Sequence, residues 1–166
     1  ALAAGTVVDL PAKVAHHAAH VLRLREGDAV VLFNGQGGEF PGRLATRGQR
    51  VELTRHDPVE RESPVAVTLV QAWIAVDKLE WVVEKAVELG VARIALIPAR
   101  RSVVRLDADR LGRRVERLRE IALAACCQCG RNRVPPVQSA AGAGEALAAA
   151  PPGATGLVLQ PQAPHS

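Results

Sequence analysis

The sequence predicts an α/β protein with a small β-rich unit in front, and three stretches carry that prediction. Between Asp28 and Thr54, short alternating apolar segments are separated by glycine-containing turns. Between Val65 and Ile97, an apolar β-branched run, a helical stripe and a second apolar run follow one another at the spacing of a βαβ unit. From Leu111 to Pro135, an arginine-faced helix runs into a polar loop.

The chain has 166 residues, enough for one medium domain or two small ones. A hydrophobic content of 48% argues against global disorder. Only Phe33, Phe40, Trp73 and Trp81 are aromatic, so the core must be aliphatic and rich in alanine.

Leu10–Leu24 reads as a short helix. Pro11 suits its first turn, and Val14, Ala18, Val21 and Leu22 give it an apolar face. His16, His17 and His20 ride on it. Three imidazoles could hold a metal, but no carboxylate accompanies them and surface histidines are the commoner case, so no metal is expected. Asp28–Phe33 is a strand, followed at once by Asn34-Gly35, the residue pair of a two-residue hairpin turn. Glu39–Ala45 and Arg50–Thr54 alternate as half-buried strands. A helix plus several short strands reads as a small β-barrel. Phe33 and Phe40 could stack bases, although two Phe flanking a hairpin are more often core. The polar, proline-bounded stretch from His56 to Pro64 separates two domains, 1–60 and 61–166.

Val65–Trp73 is a buried strand. Asp77 and Glu80 make an acidic variant of the capping box. Leu79, Val82, Val83, Ala86 and Leu89 form the helical stripe, and Gly90 stops it. Arg93–Ile97 is the second strand, ended by Pro98. Ligands of parallel sheets collect at the strands' carboxyl ends, where Ala99, Arg100, Arg101 and Ser102 lie. In the following helix Leu111, Val115, Leu118, Ala122 and Ala125 form one face. Arg110, Arg113, Arg114, Arg117 and Arg119 form the other. Gly130 can close it in the left-handed conformation and Pro135 forbids its return. Gln128, Arg131, Asn132 and Arg133 are thereby delivered onto one loop. A weak helix (Gly144–Ala150) and a strand (Thr155–Gln160) follow.

The net charge of +4 is unevenly placed. Residues 1–60 hold seven basic and seven acidic side chains, whereas 93–133 hold eleven arginines and four acids. Such a patch favours a phosphate backbone over the plain alternative of a solvated, salt-bridged helix. Cys126, Cys127 and Cys129 are poorly spaced for disulfides and lack a zinc site's spacing and fourth ligand, so they read as reduced thiols. No apolar run reaches the ~20 residues of a membrane span and no leader-like stretch opens the chain. A cytoplasmic protein without membrane contact is expected. Gly-x-Gly-x-x-Gly, P-loop, His-Glu-x-x-His and Gly-x-Ser-x-Gly motifs are all missing.

Four segments together resemble a known family. HHAAHVLRLREGDAVVLFNGQGGEF (from His16), DKLEWVVEKAVELGV (from Asp77), RSVV (from Arg101) and AACCQCGRNRVP (from Ala124) are similar, in collinear order, to the RsmE family. Its members methylate N3 of a uridine in 16S rRNA of the small ribosomal subunit. The resemblance implies a PUA-like β-barrel that helps hold RNA, then a SPOUT-type α/β methyltransferase domain. It also implies S-adenosylmethionine (AdoMet) as methyl donor, and a homodimer. The family's AdoMet loop, a trefoil knot around a Gly-Pro-Glu-Gly-Gly segment, has no counterpart here, so cofactor-binding residues are expected beyond Ser166. An alternative is an inert rRNA-binding fragment or degenerate member lacking the knot. Cys127 stands where the family usually has Glu, Pro135-Pro136 where it has Pro-Glu, and Gln160 and Gln162 near its usual His or Glu.

Uracil N3 is a poor nucleophile until its proton leaves, and its Watson–Crick edge must be freed from pairing. An arginine near O2 or O4 would stabilise the developing anion. Arg131 is the best candidate for that role, with Gln128 as a positioning amide, although both could merely cap the long helix and its loop. Arg101, Arg114, Arg133 and, on the barrel, Arg23 would meet phosphates. No general base is evident. Lys85 and Glu88 match the family motif and also fit a plain i, i+3 ion pair.

Overall fold

A computed structural model describes residues 2–98 and 108–159, and Ala99–Ser102, Gln160 and Gln162 lie outside them. The chain builds two sheets, each with its own core. The first is antiparallel, with strands β1 (Val7–Asp9), β2 (Ala29–Leu32), β3 (Phe40–Ala45) and β4 (Arg50–Leu53) in the order β1-β4-β3-β2. Alternation puts Phe40, Leu44, Val51 and Leu53 inside, where Val8, Leu10, Leu24, Val30 and Leu32 pack on them. In register, Leu32 faces Phe40 across β2–β3 and Leu44 faces Val51 across β3–β4.

Two sequence expectations change here. The helix expected over Leu10–Leu24 is one α turn, α1 (Ala12–His16), continued by a π turn over His17–Val21. Of its expected apolar face only Ala18 is buried; Val14, Val21 and Leu22 are exposed. Asn34-Gly35 does not make a two-residue hairpin. The Asn34 side-chain oxygen accepts the Gln36 N–H at 2.9 Å, and this local turn opens a longer connection between Leu32 and Phe40.

The second sheet is parallel, in the order β5-β6-β7: β5 (Thr68–Ala72), β6 (Arg93–Ile97) and β7 (Val137–Ser139). Helix α2 (Val76–Glu88) links β5 to β6, and α3 (Ala108–Cys129) links β6 to β7. Ile94, Leu96 and Val137 meet Leu79, Val83 and Val87 of α2 and Val115, Leu118, Ala122 and Ala125 of α3. The α3 stripe is the one read from the sequence, whereas in α2 the reading missed Val87 and included Leu89, which is exposed just past the helix end. A short α4 (Ala143–Ala148) buries Ala146. Asp77 does not cap α2, because the helix begins at Val76 with Ala75 as its cap; the carboxylate sits in the first turn instead. β7 was not legible: three residues behind two prolines carry little periodic signal. The strand expected at Thr155–Gln160 does not form among its described residues, and Leu157, Val158 and Leu159 are almost fully exposed. Apolar β-formers make a strand only where a partner edge is offered.

Candidate nucleic-acid interface

The parallel sheet has two edges, and the expected site residues divide between them. Each helix leaves the carboxyl end of one strand and returns to the amino end of the next. The start of α3, with Arg113 and Arg114, therefore lies near the carboxyl edge. Its end, with Gln128 and the 130–135 loop, lies at the amino edge. Fifteen helical residues separate Arg114 from Cys129, about 22 Å of axis. Arg114 and Arg131 do not converge on one ligand. Arg101 lies outside the described residues.

Gly130 closes α3 at φ +79°, and its N–H and that of Arg131 both bond the Cys126 carbonyl, at 2.9 and 3.1 Å. This turn sends the next three side chains inward and toward the barrel. Arg131 is 6% exposed and Asn132 1%. Arg131 donates Nε to Glu62 Oε1 at 3.0 Å, Nη2 to Glu62 Oε2, and Nη1 to the Val87 carbonyl at 2.9 Å. The sequence expectation placed these donors at a uracil oxygen; the fold spends three of them internally. Asn132 Nδ2 donates to the Val59 carbonyl at 2.9 Å. Arg133 Nε donates to Glu60 at 2.9 Å, and its backbone bridges to Gly35 and Gln36 of the β2–β3 connection. From that connection Phe33 packs onto the α/β core.

The stretch joining the sheets is consequently not free. Along Val59–Glu62 three residues, Val59, Glu60 and Glu62, meet the 131–133 loop, while Arg61 pairs with Glu39 of the barrel. Sequence reading took this stretch as a polar boundary and missed Glu39, Glu60, Arg61 and Glu62. The available signal was the alternating charge of Glu60-Arg61-Glu62. The electrostatics follow the pairing. The Arg61 hydrogen bond holds the Glu39 carboxyl below its usual range, and Arg133 does the same for Glu60. Burial works against the Arg131 cation, but the hydrogen bonds and charge of Glu62 more than offset it. A cleft of roughly 590 Å³ opens beside this junction, with Arg131, Arg133, Glu60 and Glu62 among its walls.

Pairing also consumes much of the basic patch. Arg117 meets Glu80 at 3.2 Å and Glu120 at 3.6 Å, and Arg119 meets Glu116 at 3.1 Å. Lys85 contacts Glu84 and Glu88, both at 2.9 Å, so Glu88 forms the plain i, i+3 pair. Among the described residues Arg23, Arg113, Arg114 and Gln128 have no hydrogen-bond or ion-pair partner. Arg23 is exposed on the barrel in a left-handed conformation, φ +54°, uncommon for a side chain of its size. Among the described residues there is no group of three His, Cys, Asp or Glu suited to a metal, and no helix is long and apolar enough to cross a membrane.

Comparison with known proteins matches both parts of the chain. A model of an RNA methyltransferase PUA domain matches residues 10–53, and one of an RNA methyltransferase domain matches residues 61–166. Ribosomal RNA small subunit methyltransferase E of Bacillus subtilis is 34% identical over 128 residues, covering 74% of this chain and 49% of that protein. The crystal structure of ribosomal RNA small subunit methyltransferase E from Neisseria gonorrhoeae, bound to S-adenosyl methionine, superimposes with a TM-score of 0.80 at 37% identity, over 92% of this chain and 64% of that one. A Legionella pneumophila methyltransferase structure, solved in complex with bound SAM, gives 0.75 at 30% identity, over 86% and 59%. The chain thus spans about half the length of the curated relatives it matches. A PUA-type antiparallel sheet locked through a short linker to a parallel α/β sheet, each matched by its own domain model, shows that the chain belongs to the RNA methyltransferase family of the RsmE type.

Proposed function

We propose that the chain serves AdoMet-dependent methylation of N3 of a uridine in 16S rRNA, acting on the small ribosomal subunit in the cytoplasm as a homodimer. Residues 1–60 hold RNA and 61–166 belong to the methyl-transferring unit. The observation that carries this reading is the pairing of a PUA match with an RNA methyltransferase match in one chain. In this reading Arg23, Arg113, Arg114 and the exposed part of Arg133 meet phosphates, together with Arg101, and Gln128 offers its amide to RNA. Phosphate contacts fix register without reading sequence.

The described residues do not by themselves fit AdoMet. The groove at the start of α2, lined by Ile74, Asp77, Lys78, Trp81 and Val82, is open and mainly apolar. The two buried side-chain atoms without a partner among the described residues, Arg114 Nη1 and Asn132 Oδ1, belong to residues that do not line it. No chemical step is therefore assigned to a residue here. A second reading, in which Arg23, Arg113 and Arg114 hold RNA without methyl transfer, is an inert rRNA-binding module. The deciding experiment incubates the protein with labelled AdoMet and small subunits lacking the modification, followed by mass spectrometry of the nucleosides. 3-Methyluridine is the expected product. Salt-sensitive RNA binding without methyl transfer selects the second reading, and methylation of another base overturns the N3 assignment.

A further inference from the structure

We propose that Arg131, Asn132 and Arg133 are positioning residues that fix the angle between the barrel and the methyltransferase domain. RNA held by the first thereby arrives in register with the second. The inference rests on the RNA-methylation reading for its consequence, but not for its geometry.

The geometry is a ladder. Three consecutive residues of one loop grip three residues of the linker: Asn132 takes Val59, Arg133 takes Glu60 and Arg131 takes Glu62. The intervening Arg61 faces the other way, onto Glu39, and Glu39 is itself tied by a backbone pair to Asp57, with N···O distances of 2.7 and 2.8 Å. One linker is thus held from both domains at once. A second set of contacts bypasses the linker. Gly37 N–H bonds the Asn132 carbonyl at 3.1 Å and Val134 N–H bonds the Gly35 carbonyl at 3.1 Å. The backbone at Gly37 favours glycine because its φ is +93°; a Cβ there would also sit 2.6 Å from Arg133 Nη2 and push that half-exposed guanidinium off its place.

Arg131 is the anchor because its alternatives are worst. It is almost fully buried, and its planar fork satisfies both Glu62 oxygens while a third donor holds the last turn of α2 at Val87. Removing either partner leaves a buried charge unpaired, whereas the half-exposed Arg133–Glu60 pair can rehydrate. Lysine cannot replace the fork, since it cannot bridge two carboxylate oxygens and a carbonyl in one plane.

The test uses the protein with two variants: Arg131→Lys and Gly37→Ala. The last strains the barrel-side connection at Gly37 and displaces the Arg133 guanidinium from Glu60, leaving the buried pair untouched. Residual dipolar couplings report orientation without any turnover. The wild type should fit one alignment tensor across both sheets. Arg131→Lys and Gly37→Ala should need two, with each sheet's internal couplings preserved. If the competent angle is then populated a tenth of the time, the KM for small subunits rises about tenfold with kcat little changed. A single shared tensor in folded Arg131→Lys and Gly37→Ala overturns the proposal. So does a fall in kcat at unchanged KM and unchanged couplings, which would return Arg131 to the chemistry. Wild-type protein that fits one tensor but transfers no methyl group defeats the functional reading and leaves the positioning role standing.

Discussion

At the scale of single residues, the 126–133 segment shows how burial decides what a side chain can do. Cys126, Cys127 and Cys129 look equivalent in the sequence. In the fold Cys126 is fully buried, its Sγ 3.4 Å from the Arg133 carbonyl, while the other two are exposed. Burial pushes the Cys126 thiol up to about 11, so at pH 8 roughly one in a thousand is thiolate. Iodoacetamide at pH 8 should therefore modify two thiols in native protein and a third only after denaturation, counted by intact mass. Three rapid additions would mean that the 130–135 loop opens readily. The same burial explains why Arg131 was legible as important but not as to purpose. Its motif signals a special position, whereas its partner Glu62 lies 69 residues away and no local pattern links them.

At the scale of elements, the linker ladder depends on carboxylates being ionised, which gives it a pH dependence of known sign. Glu39 and Glu60 have folded-state pKa values below their ordinary 4.5. A lowered carboxylate pKa adds stability that is complete above the unfolded value and is lost as pH falls through the folded one. The ladder should thus be at full strength at neutral pH and weaken below about pH 4.5. Amide exchange of Glu39 and Asp57, which bond each other across the ladder, should accelerate in that window relative to Ile94 in the α/β core. Equal protection factors down to pH 3 would show that the ion pairs do not hold these amides. Helices α2 and α3 were legible because their apolar stripes repeat over several turns. β7 and the β2–β3 connection were not, since a three-residue strand and a side-chain-stabilised turn are set by partners distant in sequence. The basic window overstates the unpaired charge for the same reason: it counts charge along the chain, and Glu60, Glu62 and Glu80 enter it only through space.

At the scale of the whole molecule, two cores share one seam. Phe33 leaves the barrel and packs on the α/β core, beside the ladder and the backbone bridges to Arg133. Both tryptophans lie in the α/β part, so fluorescence reports that part alone, whereas far-ultraviolet dichroism reports both. In the intact protein the two signals should follow one denaturation curve. Phe33→Ala should lower stability by about 2–3 kcal/mol, below the cost for a fully buried Phe, and separate the two curves. Coincident curves in the variant would show that the polar seam alone couples the cores. The domain boundary was taken from the polar, proline-bounded stretch around residue 60; the seam was not legible, because its two halves are about 70 residues apart in the chain.

A clamped linker also has leverage. A barrel built on strands of three to six residues is roughly 15–20 Å long. Tilting it by about 5° at the linker displaces its far rim by roughly 1.3–1.7 Å. Misplacement of about 1 Å at a reacting centre can cost a hundredfold in rate. A few degrees of play at Glu62 would therefore be felt at the target base as strongly as the loss of a group that touches it.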